Sequence, residues 1–144
     1  MKKIFIVLVG IMAIGLFGCG QQVNLKNVPD VAITLENQVK TADIWIMEDT
    51  PEKRKQSTWG DTTIKACAAH EPREIMLEVV SDDGLYIVRM IDEDGLFYEA
   101  CNVEITDGQS VVIKSNEDNS ITSVYVYDRE GKLVNEYEMF VAAL

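Results

Sequence analysis

The sequence predicts an all-β fold, an antiparallel β-sandwich (immunoglobulin-like or similar) of about eight strands following an N-terminal segment of different character. Three observations carry this. Apolar residues recur at every second position over short runs, the period of a strand with one buried face. Turn-forming residues punctuate the chain roughly every ten residues, a spacing that suits strands joined by hairpins and short loops. No segment sustains a helical period for three turns. A small closed β-barrel is the alternative architecture.

The elements follow in order from residue 31. Val31, Ile33 and Leu35 alternate with polar or small residues, and Ile44-Trp45-Ile46-Met47 is a compact apolar run. Thr50-Pro51-Glu52-Lys53-Arg54-Lys55-Gln56 is the one helical candidate, with Thr50 placed to cap the first turn and Pro51 at the first helical position, where its missing N–H costs nothing. Residues 62–68 place Ile64 and Ala66 on one face, and Ile75, Leu77 and Val79 form the next alternating set. The run 85–91 is apolar on both faces apart from Arg89, which predicts a central strand. Asp92-Glu93-Asp94-Gly95 then turns the chain into the strand 96–101, and Thr106-Asp107-Gly108 precedes Val111-Val112-Ile113. Finally, 121–127 and 133–140 flank Asp128-Arg129-Glu130-Gly131-Lys132, a hairpin by composition.

Residues 1–18 are of another kind. A basic head, Met1-Lys2-Lys3, leads into an apolar run from Ile4 to Phe17 that is short for a bilayer-spanning helix, which takes about 20 residues. Head and run match the first two regions of a signal peptide. The run ends Leu16-Phe17-Gly18-Cys19, which resembles the lipobox of bacterial lipoproteins: an aliphatic residue three before the cysteine, a small residue just before it, then the cysteine. Phe17 is bulkier than the residue usual at that position. The resemblance implies cleavage before Cys19 and lipidation of its thiol, with acyl chains such as palmitate. Two or more acyl chains give a stable anchor, at ~0.8 kcal/mol per buried CH₂. The expected organisation is therefore a signal over 1–18, a lipid-anchored tether over 19–30 and a β domain over 31–144. The expected location is the cell envelope, outside the cytoplasm. No Asp follows Cys19, so in a cell with two membranes the outer one is expected.

Without residues 1–18 the chain carries 11 basic and 24 acidic residues, a formal charge of −13. A surface this acidic repels nucleic acid and anionic lipid, which excludes both as electrostatic partners.

The strands also resemble a group of small, uncharacterised exported bacterial β-sandwich domains. The shared features are Ile44-Trp45-Ile46, Trp59-Gly60-Asp61, the run Ile87 to Tyr98 through Asp92-Glu93-Asp94-Gly95, and Asp107-Gly108-Gln109-Ser110-Val111. The similarity covers roughly residues 31–114 and implies the fold rather than an activity. The basic loop Lys53-Arg54-Lys55 and the stretch 69–73 depart from the pattern, and the hairpin over 121–140 is additional to it.

Candidate chemistry is sparse. Calcium takes several oxygen ligands from flexible loops, so Asp92 and Asp94, joined by Asp82 and Asp83 from a neighbouring turn, form the candidate metal site; the competing reading is that an acidic residue before Gly simply makes a tight turn. No other cofactor is indicated. Cys67 and Cys101 are the pair left once Cys19 is lipidated, and in an oxidising compartment they are candidates for a disulfide. His70 lies three residues from Cys67, but residues three apart in an extended strand face opposite ways, so a Cys–His nucleophile is not expected. Trp59, beside Trp45, Tyr98 or Tyr125, is the candidate platform for a glycan or peptide. No catalytic residues are indicated. The expected function is a non-enzymatic binding or scaffolding module, its partner an envelope protein or glycan. The alternatives are an accessory hydrolase using acidic residues and a calcium-stabilised module.

Overall fold

A computed structural model describes residues 30–36, 41–56, 59–77, 81–118 and 120–143. The expected signal and the residues of the tether up to 29, Cys19 included, lie outside this set, as does Val79. Among the described residues ten strands are formed rather than about eight: β1 (Asp30–Glu36), β2 (Ala42–Glu48), β3 (Ile64–Cys67), β4 (Arg73–Met76), β5 (Leu85–Asp92), β6 (Leu96–Glu104), β7 (Ser110–Ser115), β8 (Thr122–Tyr127), β9 (Leu133–Glu138) and β10 (Phe140–Ala143). The helix α1 spans Pro51–Lys55, with Thr50 Oγ1 accepting from the Lys53 N–H as its N-cap.

The strands build two five-stranded sheets, β4-β1-β7-β8-β9 and β10-β6-β5-β2-β3, and neither closes into a barrel. Consecutive strands close both sides of the sandwich. The chain passes from β3 at one edge to β4, and from β9 to β10 at the other, where Met139 is buried between them. The extra strand in the C-terminal run arises here, because the run 133–140 breaks at Met139 to change sheets.

Among the strand pairs of the described residues one departs from the antiparallel expectation: β1 runs parallel to β7, with Ile33 opposite Val111 and Leu35 opposite Ile113. Most of the chain intervenes, so no turn dictates direction. The register is the one that keeps all four side chains buried on one face.

The core lies between the sheets and is largely aliphatic: Ile33, Leu35, Ile44, Val88, Val103 and Ile113 are among its fully buried members. Burying each such side chain stabilises the fold by about 1.5–3 kcal/mol. Ala100 and Val103 both face this core although they are three residues apart. Between them a β-bulge shifts the register of β6 against β5, and Asn102 takes a left-handed φ of 55°.

Three connections use one device. In the β5–β6 turn the Gly95 N–H donates to Asp92 O (2.9 Å), while Asp92 Oδ1 accepts from the N–H groups of Asp94 (3.0 Å) and Leu96 (2.9 Å). The β8–β9 turn repeats this with Asp128 and Gly131: Asp128 Oδ1 accepts from Glu130 (3.0 Å) and Lys132 (2.8 Å). Before β5, Ser81 and Gly84 do the same with a hydroxyl, Ser81 Oγ accepting from the Leu85 N–H (3.2 Å). Gly95 and Gly131 both hold φ at 78°, a conformation that a Cβ disfavours.

Candidate functional site

The second sheet carries a layer on its outer face that the first lacks. Strand alternation sends Tyr86, Val88 and Met90 of β5 into the core, leaving Ile87, Arg89 and Ile91 on the outside. Ile87 is nonetheless fully buried and Arg89 only 2% exposed. The cover is α1 with Trp59.

Arg89 organises this layer. Its register partners are Trp45 on β2 and Glu99 on β6, so the three side chains lie in one row across the sheet. The guanidinium is ion-paired with Glu99 through Nε. Its remaining nitrogens reach Lys53 O and Arg54 O at 3.3 Å and Gln56 O at 3.5 Å. These carbonyls belong to the last turn and C-cap of α1, where a helix has more acceptors than its own N–H groups can meet, so Arg89 caps α1 from beneath and favours its negative pole. The Trp59 ring sits over the same guanidinium at 4.9 Å, a cation–π contact. Four of the five N–H donors of Arg89 are thus engaged, and it acts as a post holding down the cover.

A second ion pair ties the last turn of α1 back to Asp49, the residue before its N-cap. Arg54 donates through Nε and Nη2 to the two oxygens of Asp49, and Nη2 also reaches Asn102 Oδ1 at 2.8 Å. Asp49 Oδ2 accepts from the Asn102 N–H at 2.6 Å, which ties the bulge of β6 to the end of β2. The Asp49 side chain is 1% exposed. Burial by itself would raise its pKa; the hydrogen bonds from Arg54 and Asn102 and the charges of Arg54 and Arg89 together outweigh it, and hold the carboxyl below its usual range.

Aromatic rings complete the layer. Trp59 stacks on Phe97 with centroids 4.9 Å apart and meets Trp45 edge-on at 5.0 Å. Its Nε1 donates to Gln56 O (3.0 Å), and Trp45 Nε1 donates to Gly60 O (3.4 Å). Gly60, with φ at 70°, lets the chain leave Trp59 in the sheet-covering direction. Phe140 lies opposite Glu99 in the β10–β6 register, which puts it on the same outer face, and it is 78% exposed.

The sequence-predicted sites divide accordingly. Trp59 and Trp45 come together as expected, but Tyr98 does not join them. It pairs with Met90 on the core side and its Oη donates to Asp92 Oδ2 at 3.3 Å, with burial and the Asp92 charge raising its pKa. The neighbouring Phe97 takes its place, since adjacent strand residues face opposite ways and register alone chooses between them. Tyr125 is on β8 in the other sheet, beneath Lys114.

The four aspartates of the calcium candidate do not converge. Asp82 and Asp83 precede β5 and Asp92 and Asp94 follow it, so eight strand residues, about 25 Å, separate the two turns. Asp92 is occupied as a turn acceptor, and Asp83 Oδ1 is bonded by Ser81 Oγ (2.7 Å). Among the described residues no group of three His, Cys, Asp or Glu is arranged to hold a metal ion.

Cys67 and Cys101 are both free thiols. β2 and β5 lie between their strands, so about 14 Å of sheet separates them, where a disulfide needs Cα atoms within about 7 Å. They also face opposite ways: Cys67 belongs to the core, and Cys101 lies on the outer side with its thiol on Glu99 Oε1 at 3.6 Å. Burial, then the charges of Glu99 and Asp49, push the Cys101 thiol up to about 11, so it stays protonated at neutral pH and is a poor nucleophile. His70 is exposed in a left-handed turn beyond β3, away from the buried Cys67.

The outer layer itself was not legible as a site, because Arg89, Glu99, Asp49 and Arg54 are dispersed through the sequence. The one signal was a lone arginine inside an apolar strand. Comparison with known protein families, with curated proteins and with solved structures finds no match for this chain.

Proposed function

We propose that this chain is a lipid-anchored, non-enzymatic binding module of the cell envelope, which presents the outer face of its second sheet to an envelope protein or glycan. One observation carries it: Trp45, Trp59 and Phe97 are assembled outside the core on a rigid frame, with the exposed Phe140 alongside. Aromatic rings held at low entropic cost on a polar-rimmed surface are what binding faces commonly use. Anchoring rests on Leu16-Phe17-Gly18-Cys19 and the apolar run before it. Among the described residues no helix is long and apolar enough to cross a membrane.

The chain has two tryptophans and both lie in this layer, so their emission reports on it alone. Titration with separated glycan and protein fractions of the envelope is expected to shift that emission. Unchanged emission with every fraction would sink the binding role. Cys19→Ala is expected to release the protein from the membrane fraction, and a variant that stays bound like wild type would refute the anchor.

A further inference from the structure

The first and last strands are held in the sandwich differently. β10 is four residues long, lies at the edge of the second sheet and is paired with β6 alone among the described strands. β1 is seven residues long and lies inside the first sheet, gripped on both sides. On one side it pairs antiparallel with β4, from Asp30 opposite Met76 to Ile33 opposite Arg73. Past the end of β4 the segment after β3 continues this flank: Ala69 lies beside Leu35, and the His70 N–H donates to Leu35 O at 2.7 Å. On the other side Ala32–Glu36 run parallel to Ser110–Lys114 of β7, and the Ala32 N–H donates to Gln109 O at 3.2 Å. Val31, Ile33 and Leu35 are buried in the core as well.

The direction of a pull decides how such a ladder fails. Its hydrogen bonds run across the strands. A pull along the strand axis, with the neighbour held from its far end, strains all of them together. A pull that parts two strands from one end strains them one at a time. β1 and β7 are parallel, so both start at the same pole of the sandwich, the one where the chain enters at Asp30. Tension arriving through the residues before Asp30 therefore draws β1 along its own axis, against both flanking ladders and its buried side chains. An edge strand such as β10 in that position would instead be peeled from a single neighbour.

We infer that β1 is a mechanical clamp, through which tension between the membrane and a bound partner enters the fold in shear. The use of the clamp rests on the proposed anchor and the proposed partner; the grip on β1 belongs to the fold itself. A module held by lipid at one end and by a partner on its second sheet keeps its structure under a pull that reaches it through β1.

The test pulls single molecules of the full chain in a Cys19→Ser background, which carries no lipid, so its outcome is independent of the anchor that Cys19→Ala tests. One handle is fixed at the N-terminus. The other is attached at Glu117→Cys, in the exposed β7–β8 turn at the far pole, or at Asp107→Cys, exposed before β7 at the pole where β1 begins. Pulling on residue 117 shears β1 against β7; pulling on residue 107 unzips the two from their shared end. At equal pulling speed the rupture force from residue 117 is expected to be at least about twofold higher, since forced unfolding is governed by the barrier to unfolding along the path taken. Thr34→Pro removes an N–H that strand alternation from Ala32 directs at β7, and is expected to bring the two forces closer together. Equal forces in the parent would overturn the clamp whether or not Thr34→Pro folds. A folded Thr34→Pro that keeps the parent's ratio would overturn it too.

Discussion

Strands β7 and β5 occupy similar inner positions in their sheets and are buried differently. In β7 buried and partly exposed residues alternate strictly, while in β5 five consecutive residues from Tyr86 to Met90 are buried. The first pattern is that of a sheet packed on one face. The second needs cover on both faces, and in an antiparallel sandwich that cover must come from outside the two sheets. Here it is a five-residue helix and a tryptophan, too little apolar surface to seal a sheet by burial alone. Polar anchoring makes up the difference, through Arg89 under the helix carbonyls and Asp49 on Arg54. A small cover can be held by buried charges, provided each of them has a complete set of partners.

The largest effect that would break this contrast is at Arg89. Arg89→Ala is expected to cost about 3–5 kcal/mol in urea unfolding, because it strips Glu99 of its buried counter-charge and removes the donor to Arg54 O. The two thiols then report on the two layers. In a Cys19→Ser background Cys101 is expected to become reactive towards a thiol reagent in Arg89→Ala while Cys67 stays protected. In the parent both are expected to react about a hundredfold slower than a free thiol. If Cys101 were already fast in the parent, the outer layer would not be closed.

Asp49 tests the same layer by pH. Its folded pKa is below the unfolded value of about 3.9. Its contribution to stability is therefore complete well above that value and is lost as pH falls through the lowered one. Asp49→Asn is expected to be less stable than the parent at pH 7 and to lose less of its stability between pH 5 and 2. Parallel acid limbs for the two proteins would show that Asp49 is not part of the frame.

The smallest effect is the control on the first sheet. Lys114 on β7 lies with its ammonium 4.4 Å from the Tyr125 ring on a face with no second layer. Lys114→Ala is expected to cost less than about 1 kcal/mol. A loss as large as that in Arg89→Ala would erase the distinction between the sheets.

Much of the fold was legible in the chain. Period-two alternation marked nearly every strand, and the apolar run around Arg89 rightly signalled a central one. Thr50-Pro51 announced the helix start, and the Asp-x-x-Gly turns announced two hairpins, because each of these depends on residues close in sequence. What misled was chemistry read from composition. The acidic turn at Asp92 suggested metal binding, yet its aspartate does for β5–β6 what Asp128 does for β8–β9 and a serine does before β5. Tyr98 and Phe97 could not be told apart as surface residues, since a one-residue change in register exchanges them.

By itself, then, the sequence determined a two-sheet β-sandwich, its turns and the short helix Pro51–Lys55, all of which follow from local backbone preference and the period of burial. Only the tertiary structure decided which strands are neighbours: β1 beside β7 in parallel, and Cys67 kept from Cys101 by two strands. It alone brought Asp49, Arg54, Arg89 and Glu99 into one frame under Trp59. These are contacts between residues distant in the chain, fixed by which surfaces remain to be buried once the strands exist, and no local pattern records them.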